Sequence, residues 1–229
     1  MEENNENLKN EATETVNEVK DAFKNTDIKQ ASQEAKGFIS SFFKDPIEEL
    51  KRVTTDSASK FFKIAIVVLV IWLVAILLLN ILGIASRSLF STYGSFSLFF
   101  KNLFGNVFDI IKELVAPVIT IAILSGLVYA FKKNKSKSFL PIVNSVLIAK
   151  IPVVIATVLE LLTIISSSFS RITSTFSGYC NILSIVLLFF AFKNLSDEDK
   201  KGSYFWRFAL IMGIFYIIKF VFSYLGIYL

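Results

Sequence analysis

Histidine is absent from this 229-residue sequence, and cysteine occurs once, at Cys180. Without histidine there is no His/Cys zinc site, no Ser-His-Asp triad and no His-Glu-x-x-His metal motif. A lone cysteine excludes any disulfide within one chain. No aspartate lies well inside an apolar tract, which removes the paired aspartates of intramembrane aspartyl proteolysis. A serine nucleophile with Lys150 as base has the residue types and nothing further to support it. The chemistry left is non-enzymatic, with no cofactor and no metal expected.

What is present points to lipid. Hydrophobic residues make up 54% of the chain, 24 of them phenylalanine, against roughly 45–50% in a water-soluble domain. Apolar tracts at Ile64–Ile84, Leu114–Phe131, Ile172–Phe192 and Phe205–Leu229, with a fifth around residues 142–166, reach or approach the ~20 residues that cross a ~30 Å hydrocarbon core. The expected fold is an all-α, polytopic membrane bundle of about five spans, near 61–84, 110–131, 142–166, 172–192 and 205–227. A polar arm precedes it. The arm lacks the basic flank and short apolar core of a signal peptide, so it is expected to persist in the mature protein.

Charge divides the chain. Residues 1–60 hold thirteen acids and nine bases and the remainder six acids and fifteen bases, so the net +5 combines −4 in the arm with +9 in the membrane half. The basic excess gathers at span ends and gives no reason to expect nucleic-acid binding. Leu8, Ala12, Val16, Val19 and Phe23 make only a thin apolar stripe over residues 6–35. Residues 1–35 therefore read as a mostly disordered or weakly helical acidic arm, with docking on a partner or the membrane as the alternative. Residues 36–60 read as juxtamembrane amphipathic helices, Phe38, Ile39, Phe42 and Phe43 lying flat in the headgroup layer. Asp45-Pro46, followed by Glu48 and Glu49, is a helix start with an N-cap acceptor and acids at the positive dipole end. Thr54, Thr55, Asp56 and Ser57 offer a second.

Lys51, Arg52, Lys60 and Lys63 precede the first span; Lys132, Lys133, Lys135 and Lys137 follow the second; Lys193, Lys200, Lys201 and Arg207 fill or border the connection after the fourth. The other connections are sparse in bases. The positive-inside rule then places the N-terminus in the cytoplasm and the C-terminus outside, in a membrane expected to be the bacterial cytoplasmic one. The long connection holding Phe96, Phe99, Phe100, Leu103, Phe104, Val107 and Ile111 reads as an interfacial helix leading into the second span, its apolar face an anchor in lipid.

Ionisable residues interrupt the third span. If it begins at Phe139, Lys150 lies ~16 Å deep, where a charge costs ~2.5–3.5 kcal/mol. If the hydrocarbon begins near Val146, Lys150 is ~6 Å deep and its stem snorkels to the cytoplasmic side. The second register is the cheaper. It puts Glu160 and Lys219 both at ~21 Å, so a Glu160–Lys219 pair between the third and fifth spans is expected, the alternative being that each reaches the outer interface separately or that Glu160 is protonated. Lys150, Glu160, Lys219 and Asn181 form the candidate intramembrane polar network, with Asn181 and Ser184 expected to hydrogen-bond across helices, a pore-lining role being the weaker alternative. Ala122, Gly126 and Ala130, and Ala209 with Gly213, form ladders of small residues expected to pack helices closely. Pro152 is expected to bend the third span slightly. Tyr204, Trp206 and Tyr228 sit where aromatic belts form.

The polar arm, the stretch "FFKDPIEELKRV" and the closely spaced spans over 61–229 together resemble the Yip family of Rab-interacting membrane proteins and their bacterial relatives. The Asp-Leu-Tyr-Gly-Pro signature of eukaryotic members is absent. The resemblance implies a non-enzymatic integral membrane protein connected with membrane organisation or trafficking, and it carries over no site residues. The reading is a scaffold or accessory subunit in contact with the bilayer, engaging a membrane or cytoplasmic protein through residues 1–60, with a homo-oligomer as a further option. The alternative is a small transporter or channel component using its buried charges.

Overall fold

The computed structural model describes residues 28–55, 58–89, 95–132, 139–196, 203–224 and 226. Among them there are helices and no strand. In chain order they are α1 (Ile28–Lys44), α2 (Pro46–Thr55), α3 (Ala58–Leu89), α4 (Phe96–Gly105), α5 (Val107–Phe131), α6 (Phe139–Ala149), α7 (Ile151–Glu160), α8 (Leu162–Ile165), a 3-10 turn (Ser167–Phe169), α9 (Ser170–Leu195) and α10 (Ser203–Tyr224). Five helical stretches are long and apolar enough to cross a membrane: Lys60–Leu89, Val107–Phe131, Phe139–Ile165, Ser170–Leu195 and Ser203–Tyr224. The chain is an integral membrane protein, and its outward-facing Val70, Val74, Val118, Ile182 and Phe220 meet lipid where a soluble protein would place polar groups.

The third stretch is the axis of the bundle. In α6, Leu140, Ile142 and every residue from Asn144 to Ala149 are buried. α6 packs on α3, α5 and α9, α7 packs on α9 and α3, and α10 lies outside, against α5 and α9. Hairpin contacts tie neighbours together: Tyr129 meets Phe139 at 5.6 Å, and Phe189 meets Tyr204 at 5.7 Å between ring centroids. The core joins Phe61, Ala65 and Val68 to Leu124 and Val128, to Leu147 and Ile148, and to Leu187, Phe192 and Ile211.

The segment before the first span packs into this core, so its apolar face is not left free for a membrane surface. Ala35, Phe38 and Phe42 form one helical stripe, buried against α3, with Phe38 edge-on to Phe61 at 5.9 Å. Phe43, at 64% exposure, faces away. The expected four-residue apolar face is thus split: positions four apart reach α3, and the position one step on (~100° around the helix) does not. Asp45 Oδ1 accepts from the Glu48 amide at 3.0 Å and Pro46 occupies the first helical position of α2. α2 then wedges between α6 and α9, with Leu50 and Val53 fully buried and Glu49 held by Arg52 at 2.8 Å. The second expected start signal falls partly on residues 56 and 57, and most of the thin stripe on residues 6–35 falls before residue 28, both outside the described residues.

The Phe-rich connection forms two helices, with a break at Gly105-Asn106. Ser95 Oγ caps α4 by accepting from the Leu98 amide at 3.1 Å, and Asn102 Nδ2 donates to Ser88 Oγ at 2.9 Å, fastening α4 to the end of α3. Phe96, Phe100, Phe104 and Phe108 stay exposed.

The small-residue ladders face outward, which corrects their expected role inside the chain. Ala122, Gly126, Ala130, Ala209 and Gly213 are all exposed, and a methyl group added at Gly126 or Gly213 would meet no described atom within 4 Å. The inner face of α5 is taken by Ile121, Leu124, Ser125 and Val128, one residue out of step with its ladder.

Candidate functional site

The third span is broken at Lys150. Pro152 has no N–H, so the Ile148 carbonyl loses its i+4 donor, and the pyrrolidine ring crowds that carbonyl. The chain responds with a tight turn: the Lys150 amide donates to the Leu147 carbonyl at 3.0 Å, and α7 restarts with the Val154 amide donating to the Lys150 carbonyl at 3.0 Å. This is a one-residue interruption between two helices, with Lys150 keeping right-handed helical dihedrals (φ −87°, ψ −4°) within the one span Phe139–Ile165. A second one follows at Leu161.

The break opens onto a cavity of about 610 Å³, within the ~300–1,000 Å³ typical of ligand sites. Each bordering helix contributes residues at turn spacing: Trp72 and Ile76 from α3; Glu113, Pro117, Thr120 and Leu124 from α5; Asn181 and Ile185 from α9; Met212, Tyr216 and Lys219 from α10. Lys150 and Val153 complete it at the break. The walls are mainly apolar, with two ammonium groups and one carboxylate among them.

Lys150 lies ~16 Å along the span from Phe139 at 1.5 Å per residue and borders the same space as Trp72 and Asn181. The expected snorkelling of its stem to the near surface is not seen: the side chain borders the cavity instead. α6 is buried over Asn144–Ala149, so the side chain turns into the cavity. Among the described residues neither Lys150 nor Lys219 makes an ion pair or hydrogen bond. Two like charges on one low-dielectric space repel each other, and each is costly to hold there without a counter-charge.

The Glu160–Lys219 pair is not formed. Glu160 ends α7, which packs on α9 and α3, whereas Lys219 is on α10, which packs on α5 and α9. Helix adjacency overrides equal depth. Among the described residues Glu160 makes no ion pair, and it does not line the cavity. Asn181 Nδ2 donates to the Ser177 carbonyl of its own helix at 2.9 Å, and the buried Ser184 hydroxyl has no partner among the described residues, so neither bridges helices as expected. Lys150, Lys219 and Asn181 are brought together; Glu160 is apart.

Glu113, Thr120 and Tyr216 line the site without having been singled out in the sequence. Their signal was the spacing 113, 117, 120, 124, a helical stripe carrying a carboxylate, a proline and a hydroxyl. Glu113 accepts from Asn80 Nδ2 at 2.6 Å and also lines a smaller polar pocket of about 290 Å³ with Arg87, Asp109 and Lys112. It forms the wall between that pocket, at the end of the bundle away from α2, and the cavity. Chemically, the arrangement offers two cations and neutral donors to an anion, with apolar walls for whatever is attached to it.

The chain matches no protein-family model, no curated protein and no solved structure.

Proposed function

We propose that this integral membrane protein is non-catalytic and binds an anionic ligand inside its bundle, serving as a small transport component or accessory subunit. The observation that carries the reading is the pair of lysines, Lys150 and Lys219, on one cavity within the bundle, neither with a partner among the described residues. An unpaired charge in a span is rare because of its cost, and such residues characteristically mark ligand or ion paths. The interrupted third span beside them is the backbone feature that many transporters place at their binding sites. The asymmetry of basic connections supports a cytoplasmic N-terminus, an external C-terminus and a bacterial cytoplasmic membrane.

The test is thermal unfolding of the purified protein in an uncharged detergent, titrated with acetate, phosphate, sulfate and their long-chain counterparts. Ligand at 100 times its Kd stabilises by about 2.7 kcal/mol. At least one anion is expected to raise the Tm of the wild type and to lose that effect in Lys150→Met/Lys219→Gln. If no anion does so, the reading fails.

A membrane scaffold, the Yip-like role, is the second reading. Phe43 and Ile47 favour it, being large, apolar and exposed on helices otherwise seated in the core. Affinity purification with a Phe43→Ser/Ile47→Ser variant as control tests it: a stoichiometric partner lost in the variant supports a docking face there.

A further inference from the structure

How α9 and α10 meet determines the route into the cavity. Their ring contacts cluster toward the end that carries α2: Phe189 packs against Tyr204, Phe205 and Phe208 at 5.7, 6.3 and 5.3 Å, and Phe192 against Phe208 at 6.0 Å. Beyond that cluster, Asn181 on α9 and Lys219 on α10 line the cavity and are also exposed on the outside of the bundle. A residue that is both lies on the rim. Tyr216 on α10 and Glu113 on α5 also line the cavity and are exposed. Asn181, Tyr216 and Lys219 flank the α9–α10 seam, which is one side of the opening, and Glu113 stands at the end beside the smaller polar pocket. Ile182 and Phe220, beside the rim, are exposed apolar side chains at 61% and 74%, so the outer surface of this seam is suited to hydrocarbon.

We propose that the cavity takes an anionic amphiphile, a long acyl chain bearing a carboxylate or phosphate head, admitted sideways through the α9–α10 seam. The inference rests on the anion-binding reading above and adds the class of ligand and its route. Lys219 at the rim meets the head first and Lys150 holds it at depth. The Thr120 hydroxyl, which is buried and makes no hydrogen bond among the described residues, is a further donor. Val153, Ile185, Met212 and Phe215 provide the surface for the chain. Glu113 is drawn toward Asn80 at the far wall, which leaves the cationic side for the head. A small hydrated anion would gain nothing from these apolar walls.

Trp72 lines the cavity, and the only other tryptophan is Trp206, 74% exposed. In Trp206→Phe protein held in uncharged detergent, Trp72 fluorescence is therefore a local reporter. Dibromostearate, which quenches tryptophan on contact, is titrated alongside dibromostearyl alcohol. The acid is expected to quench saturably at roughly tenfold lower concentration than the alcohol, about 1.4 kcal/mol. Lys150→Met/Lys219→Gln should abolish that difference, and Lys150→Arg/Lys219→Arg should restore it. The arginine pair, with circular dichroism, separates lost binding from lost fold. Displacement of the quencher by acetate as effectively as by unbrominated stearate would overturn the amphiphile and leave a small-anion site standing. Equal quenching by acid and alcohol, indifferent to the lysines, or no saturable quenching at all, would overturn both readings.

Discussion

Replacing Lys150 with methionine removes an uncompensated charge from the interior while keeping the length of the side chain, and glutamine does nearly the same at Lys219. Without ligand, the Lys150 substitution is expected to stabilise the bundle, on the order of 1–3 kcal/mol, read as a higher Tm in uncharged detergent, and the change at Lys219, exposed at the rim, to shift it less. A lower Tm would mean that the ammonium removed has a stabilising partner. The lysines were legible in the sequence because a charge inside an apolar run is visible in one dimension. Their company was not. Glu113 stands seven residues into a helix that begins at Val107, yet beside the apolar tract starting at Leu114 it reads as a boundary. Glu160 and Lys219 looked like partners by depth alone, and only the packing of α7 and α10 on different neighbours separates them.

At the scale of the element, α2 and the small-residue ladders make opposite predictions. Leu50 is fully buried where α2 wedges between α6 and α9, so Leu50→Ala should cost about 2–5 kcal/mol, even though the residue precedes the first span. Gly126 and Gly213 face open space. Gly126→Ala and Gly213→Ala should leave the fold intact and stabilise it by about 0.5–1 kcal/mol each through the backbone. Thermal melts of the three variants check both, and a loss of stability at either glycine would place a second copy of the chain against that ladder. The helices were readable because apolar length is a local property. Which face of a helix turns inward depends on its neighbours, so a small-xxx-small spacing on α5 could not be told from an outward-facing one. For α1, three- and four-residue spacing marked an apolar face, but whether lipid or α3 covers it is fixed only in the folded bundle.

For the molecule as a whole, orientation is the property to measure. With Cys180 replaced by alanine, a cysteine at exposed Ser97 on α4 and another at exposed Ser40 on α1 report the two ends of the bundle. A membrane-impermeant maleimide added to intact cells should label Ser97→Cys and reach Ser40→Cys only after lysis. The reverse pattern would invert the topology argued from basic residues. Span number and alternation of basic connections follow directly from the sequence; the central place of the third span does not, because it depends on which of five similar apolar helices the others surround. The wedge of α2 also sets an order of events at birth. Leu50 packs in one core with Phe192 and Leu195, yet these are made about 145 residues later, roughly 7–29 s at 5–20 residues per second. For that interval α2 has left the ribosome and its seat does not exist. Closure of the bundle therefore waits on the fourth span, and a chain stalled before it should present the apolar side of α2 to chaperones and proteases as the mark of unfinished assembly.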